Sequence, residues 1–379
     1  MDGRVGAVTD LFDVLNVGTR EDSYTSLLAA LFAEKPKWAR EFFSQSTGEK
    51  DLPPKPVGVY RWPRAAVSGK DVIPDLVLTF GDPVSVVWVV EAKIGSGEGK
   101  DQLINQESEE AQKSLTESLE LPEGAEWRYS YLTLEGESPA ESANFQPATF
   151  ETLREVFTKK PSLSEEMYPA YETLRKRLRD YYKARGSKPD PKFTLEEHLE
   201  PGAGLASTRS RFYWTGERLA EDLKLRPEFG STGGRRDVPL CQMRGKGWRG
   251  PRYVRASETP LKDCRDIHLE LQLHEDAAPL FLHYETNPFI PRLKSLPGNV
   301  TEKQYEEYHE RRKEFAAALS HHREALEDAG WKLAPSSSVN QLAKLQPLPL
   351  DTNVEEFRKT VRSSAKAMRS VVDEVLNEK

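Results

Sequence analysis

Asp75, Glu91 and Lys93 are the residues of this chain whose types and spacing could do chemistry. Asp75 follows Pro74, and Glu91 and Lys93 close an apolar run from Val84 to Val90. Two carboxylates across a sheet can share a divalent cation, and an ammonium beside them can position a water. That combination suits metal-assisted hydrolysis.

The elements that must place these groups are legible. Leu76 to Phe80 and Val84 to Val90 are rich in β-branched residues and bounded by turn formers, so they read as two strands of a hairpin. Three residues, Gly81, Asp82 and Pro83, join them. If Phe80 pairs with Val84, Asp75 lies opposite Val89 and Glu91 is its diagonal neighbour on the same face, roughly 7 to 8 Å away. Lys93 shares that face because side chains alternate with period 2. A one-residue shift in the loop would place the carboxylates on opposite faces. The second strand is apolar nearly throughout, as in a central strand covered on both sides. Charge at the end of such a strand costs desolvation unless it is paired or binds a metal, so a functional site and a solvated Glu/Lys pair both remain open on spacing alone.

Pro74-Asp75 followed by Glu91-Ala92-Lys93 resembles the signature of the PD-(D/E)XK nuclease superfamily. The order of surrounding features is similar to one large bacterial branch of it. Those features are Glu21-Asp22-Ser23-Tyr24-Thr25-Ser26-Leu27-Leu28, the hairpin, Lys100-Asp101-Gln102-Leu103, and Tyr131-Leu132-Thr133-Leu134-Glu135-Gly136, together spanning about residues 10 to 160. The resemblance implies a magnesium- or manganese-dependent nuclease with a restriction-endonuclease-like mixed sheet. Asp75, Glu91 and the Ala92 carbonyl would hold the ion, with Glu21 a further ligand. Lys93 would position or activate the attacking water. Hard oxygen donors of this kind suit magnesium and manganese better than zinc. A lysine base needs a lowered pKa, which burial favours and neighbouring carboxylates oppose, so water positioning is the expected role.

Residues Tyr24 to Phe32 read as an apolar helix with Thr19 as its cap, which puts Glu21 in the first turn. The helix dipole favours a carboxylate there whatever its function, while the resemblance turns Glu21 toward the metal. Gln102 matches the glutamine that, in the family, contacts phosphate or water. The pattern departs from the family at Gly95-Ser96-Gly97-Glu98-Gly99, and at Gln106, where relatives often carry an aromatic residue. The identity of the functional glutamine stays open.

With 379 residues the chain can hold two domains, and 37% hydrophobic with 30% charged residues fits a soluble globular protein. No apolar run approaches the roughly 20 residues of a membrane-spanning helix. The N-terminus shows no signal-peptide pattern, and Cys241 and Cys264 form neither a disulfide framework nor a zinc spacing. A cytoplasmic location follows as the default.

A net charge of −7 is unfavourable for binding phosphates, so charge distribution matters more than its sum. Arg235, Arg236, Arg244, Lys246, Arg249, Arg252 and Arg255 cluster with Trp248 and Tyr253 in a glycine-rich stretch. Such a mixture could grip a backbone and stack a base, or form a solvated loop. A second basic run, Arg175 to Lys183 with Tyr181 and Tyr182, has helical spacing and fits the charged face of a surface helix.

Organisation follows from the breaks. Residues 1–50 are expected to be helical, with a first strand at Val57 to Val67, the hairpin, and a helix from Gln102 to Leu121. A strand at Trp127 to Leu134 and helices at Thr149 to Lys159 and Tyr168 to Ala184 complete an α/β sandwich around a mixed sheet. Residues 1–185 form this nuclease-like domain, 186–192 a Gly/Pro linker, and 193–379 a C-terminal α+β domain with a substrate- or partner-binding role. The second half is expected to hold a helix at Thr215 to Leu225, strands at Asp266 to Leu273 and Pro279 to Tyr284, and helices at Thr301 to Ala329 and Val354 to Asn377. Leu269, Leu271 and Leu273 alternate with Glu270, Gln272 and His274, as in a sheet with one wet face, so His268, His274 and His283, whose type could ligate a metal, are expected to be solvated instead.

Three classes of function stand. The first is a metal-dependent nuclease acting on nucleic acid, DNA ahead of RNA, with restriction or antiviral defence as a role compatible with the resemblance. The others are a non-catalytic nucleic-acid-binding protein and a regulatory interaction subunit. A homodimer and a protein or small-molecule activator are compatible with all three.

Overall fold

Apolar runs bounded by turn formers become sheets, and the amphipathic runs between them become helices. A computed structural model describes residues 21–377 apart from 50–51, 54–56, 95–100, 140–141, 143, 158–161, 188, 202–204, 232–237, 250–264, 287–300 and 336–339. The chain divides into two compact units. The first holds residues 1–188, 201–211 and 230–237, and the second holds 189–200, 212–229 and 238–379. The first change of unit falls between residues 188 and 189, inside the segment 186–192 expected to be a linker, and two short later segments return to the first unit.

The first unit contains, in chain order, α1 (Glu21–Glu34), α2 (Pro36–Thr47), β1 (Val57–Arg61), β2 (Ala65–Val67), β3 (Lys70–Val72), β4 (Leu76–Gly81), β5 (Val84–Lys93), α3 (Gln102–Glu107), α4 (Glu109–Ser118), β6 (Glu126–Thr133), β7 (Phe145–Thr149), α5 (Phe150–Val156) and α6 (Tyr168–Arg185). Its main sheet has the order β1-β4-β5-β6-β7. β5 runs antiparallel to β4 and parallel to β6, so the sheet is mixed and the architecture α/β, as expected. The first strand expected over 57–67 is two strands in different sheets, because the chain breaks at Trp62, with φ of 51°, and at Pro63, which has no N–H for a ladder. The helix expected from Gln102 to Leu121 is likewise two. Ser108 Oγ accepts from Ala111 N and caps the second, offering the chain a local alternative to a continuous helix.

The hairpin register differs from the simple expectation. Phe80 pairs with Val86 and Gly81 with Val84, leaving Ser85 as the extra residue of a bulge. The ladder is therefore displaced by two residues, an even shift that keeps every side chain on its expected face. The ladder ends at Leu76↔Val90, and Asp75, the residue just before β4, accepts across it from Ala92 N.

Packing then orients the two faces of β5. Trp88 meets the rings of Phe42 and Phe43 at 5.3 and 4.9 Å, which fixes α2 on one side, and its Nε1 donates to Ser130 Oγ. Val87 and Val89 pack with Leu103 of α3 on the other. Glu91 and Lys93 continue that second face and so point toward α3.

The second unit contains α7 (Leu195–Leu199), most of α8 (Thr208–Asp222), most of β8 (Arg226–Ser231), β9 (Pro239–Arg244), β10 (Arg265–Gln272), β11 (Ala277–Ala278), β12 (Leu280–Thr286), α9 (Glu302–His321), α10 (Arg323–Asp328), β13 (Trp331–Leu333), β14 (Gln341–Leu345), β15 (Leu348–Pro349) and α11 (Val354–Asn377). A six-stranded sheet runs β13-β14-β12-β10-β9-β8. Phe357, Val361, Ala365, Met368 and Val372 form the buried stripe of α11 at helical spacing.

One expectation for this sheet fails. Its polar face is not wet: from Asp266 to Leu271 both faces of β10 are buried, and His268 and His283 are 0% and 8% exposed, whereas His274 is exposed as expected. Alternation reports two chemically different faces but not what covers them. Among the described residues no helix is long and apolar enough to cross a membrane.

Candidate functional site

The end of β5 collects the site. β4 delivers Asp75 beside it, α1 brings Glu21, and α3 brings Gln102 and Gln106 one helical turn apart. Asp75 Oδ2 accepts from Ala92 N at 2.8 Å. Within a strand the N–H and C=O of one residue share an edge, so the Ala92 carbonyl also faces the Asp75 side.

Glu91, only 1% exposed, sits at the centre. Its Oε1 accepts from Lys93 Nζ at 2.6 Å and from Gln102 Nε2 at 2.5 Å, and its Oε2 accepts from Gln106 Nε2 at 2.8 Å. An ionised carboxylate offers about four acceptor positions, so these donors leave room for a cation. Glu21 Oε1 accepts from Ile94 N at 2.9 Å, while its Oε2 stands 3.5 Å from Lys93 Nζ. Glu21 is therefore turned onto the strand end rather than into solvent. Its expected cap, Thr19, lies outside the described residues.

Electrostatics sharpen the arrangement. Burial, reinforced by the Glu91 charge, raises Asp75 from 3.8 to about 7, against the Ala92 N–H and the Lys93 ammonium, which favour its ionised form. Burial alone would lower Lys93, but Glu91 and Glu21 outweigh it and hold the ammonium above the usual lysine range. Lys93 is thus a charged donor here and not a neutral base. Three carboxylates face one ammonium, and the Asp75 shift comes first from burial and then from the Glu91 charge. Asp75, Glu91, Glu21 and the Ala92 carbonyl are the hard oxygen donors at this strand end that could hold a divalent cation.

Sequence reasoning left the glutamine open, and the fold brings both to Glu91. Gln106 is buried and its Oε1 lacks a hydrogen-bond partner, whereas Gln102 is half-buried. The i, i+4 spacing of the two was the signal for a shared target.

Of the described residues in the basic segment, Arg244 and Trp248 are buried rather than at the surface. Arg244 is buried, binding Asp266 through Nε at 2.7 Å and Glu228 through Nη1 at 2.9 Å. Trp248 is 0% exposed and donates from Nε1 to Asp373 at 2.7 Å, so no face is open for stacking. Arg249 pairs with Asp266 and Glu228 at 3.1 and 3.2 Å. Lys246 is exposed. Arg235, Arg236, Arg252 and Arg255 lie outside the described residues. Local composition places charges and rings near one another in sequence, but their burial is set by strands distant in sequence.

No family model, curated protein or solved structure matches this chain.

Proposed function

We propose that the first unit is a magnesium- or manganese-dependent nuclease of the PD-(D/E)XK type, with a restriction-endonuclease-like sheet, hydrolysing phosphodiester bonds in nucleic acid, DNA ahead of RNA. The observation that carries this reading is the gathering of Asp75, Glu91 and Lys93 at one end of β5, joined by Glu21 and Gln102. A bound divalent cation would supply Lewis-acid stabilisation of the charge that develops on the scissile phosphate. Asp75, Glu91, Glu21 and the Ala92 carbonyl would hold it.

Lys93, kept protonated by its carboxylate neighbours, donates hydrogen bonds to the attacking water or a phosphate oxygen and orients it for in-line attack. Gln102 and Gln106 hold the Glu91 carboxylate from α3, so that Lys93 and the ligand set share one fixed anchor. The water's proton passes to solvent or to phosphate oxygen, since an ammonium cannot accept it. Restriction or antiviral defence is the role that suits such an activity, as a cytoplasmic enzyme acting as a homodimer or under an activator.

The test is cleavage of plasmid, linear duplex, single-stranded DNA and RNA by the purified chain with magnesium, manganese or EDTA, beside Lys93→Ala. Metal-dependent cutting that the variant loses supports the reading. Cutting retained by the variant, or absent from every substrate and metal, rejects it.

A further inference from the structure

The charged face of the second unit's sheet holds a second cluster that the nuclease reading does not use. β10 and β12 pair antiparallel with His268 directly opposite His283. Glu270 follows His268 by two residues and Glu285 follows His283 by two, so all four side chains share one face. The opposite face carries Ile267, Leu269, Leu282 and Tyr284 into the hydrophobic core.

Their donor atoms converge. His268 Nε2 lies 3.4 Å from Glu270 Oε2 and 3.6 Å from Glu285 Oε1. His283 Nδ1 lies 4.0 Å from Glu270 Oε1 and 3.9 Å from Glu285 Oε2. One ligand atom from each of His268, Glu270 and His283 falls within 4.8 Å of the others. Two ligands of a tetrahedral zinc ion stand about 3.4 Å apart, given metal–ligand bonds near 2.1 Å, so these donors would close in around a bound ion.

Three further observations point to a ligand. His268 is wholly buried, and among the described residues neither ring nitrogen makes a well-aligned hydrogen bond: its polar neighbours are the carboxylates of Asp266, Glu270 and Glu285 at 3.4 to 3.6 Å, a loose arrangement for a buried polar group. Among the described residues, Glu270 and Glu285 have only the two imidazoles as ion-pair partners. The surroundings also resemble the outer shell of a metal site. His268 Nδ1 faces Asp266 Oδ1 at 3.6 Å, and Arg244 clamps Asp266 with bonds of 2.7 and 2.8 Å. A carboxylate behind an imidazole fixes its tautomer and leaves the other nitrogen free to ligate. Gln242 and Gln272 hold the two Glu270 oxygens from behind at 2.9 and 2.6 Å.

The geometry points to a buried, structural site for a divalent transition metal of the zinc class, ligated by His268, His283, Glu270 and Glu285. Two imidazole donors favour such a metal over magnesium, which separates this site chemically from the oxygen-only set at Asp75 and Glu91. His268 and Glu270 are almost wholly buried and His283 nearly so, and a donor set closed in this way suits a structural rather than a catalytic ion.

The experiment uses the full chain, purified without a metal-affinity tag, stripped with a strong chelator and titrated with zinc against a chromophoric chelator. Cobalt is then added as a spectroscopic probe. The expected result is one zinc per chain and the visible d–d bands of four-coordinate cobalt, both retained in Asp75→Asn/Glu91→Gln and both lost in His283→Gln and Glu270→Gln. Asp266→Asn should weaken zinc by about ten- to a hundredfold. The wild-type cobalt spectrum needs no variant to fold. Failure of the wild type to compete for zinc or to give four-coordinate bands overturns the site, leaving His268 as a protonated imidazole among carboxylates. Binding that persists in folded His283→Gln and Glu270→Gln, or that disappears in Asp75→Asn/Glu91→Gln, also overturns it.

Discussion

Lys93 and Glu91 stand two residues apart on one strand, and the ammonium of the first meets the carboxylate of the second at 2.6 Å with Glu91 almost fully buried. Such a pair contributes little net stability compared with apolar residues of the same shape, yet breaking it strands a charge. Its presence at the end of an otherwise apolar strand is therefore not explained by stability alone.

Removing that ammonium should have two separable effects. Lys93→Ala is expected to lower metal-dependent cleavage by about 10²- to 10⁴-fold, the range for loss of a positioned proton donor or charge stabiliser. In EDTA it should also cost about 3 kcal/mol of stability, because Glu91 loses its partner. Magnesium should restore part of that loss. Denaturant melts with and without magnesium, alongside the cleavage assay, check both effects.

Asp75 makes the metal-free protein pH-sensitive in a definite direction. Its folded value of about 7 lies above the ordinary 3.8, so between these limits the folded chain keeps a proton that the unfolded chain has released. The contribution of Asp75 to stability is therefore favourable at low pH and is lost as pH rises from about 4 to about 7. Cation binding must displace the same proton, so magnesium affinity should rise by about tenfold per pH unit below 7 and level off above it. Melting in EDTA across this window, with Asp75→Asn as the flat control, tests the first statement, and calorimetric magnesium titrations test the second.

The two glutamines should separate function from stability. Gln102→Ala, half-buried beside Glu91, is expected to lower cleavage by about tenfold with a stability change under about 1 kcal/mol. Gln106→Ala should instead cost about 1 to 3 kcal/mol, because a buried carboxylate oxygen loses its donor. Equal stability losses in the two variants would contradict the assignment.

In the second unit, Trp248→Ala should destabilise by about 3 to 5 kcal/mol through the cavity it leaves, without changing the salt dependence of nucleic-acid binding. Arg244→Ala should cost a similar amount, since Asp266 would be left buried beside fewer cations. Exposed Lys246 is the appropriate probe of a phosphate contact. If it makes one, Lys246→Ala lowers the salt slope by about 1 with stability unchanged.

What the amino-acid sequence determined by itself is local and periodic. The β-branched run ending in Glu91-Ala92-Lys93 determines that Glu91 and Lys93 share a face, and Pro74-Asp75 before the turn determines that Asp75 returns to that end of the hairpin. Alternation likewise separates Leu269 and Leu271 from His268 and Glu270. The tertiary structure decided everything that depends on what packs against those faces. A bulge at Ser85 shifts the hairpin register by two residues, and Asp75 meets the Ala92 N–H at the strand end. The docking of α3 gives Glu91 two glutamines instead of one. In the second unit, Arg244 and Trp248 are drawn inside, and the histidine face is closed to water. The physical reason is that burial, and with it the strength of every charge and hydrogen bond, is set by neighbours tens to hundreds of residues away, while periodicity reports only which way a side chain points.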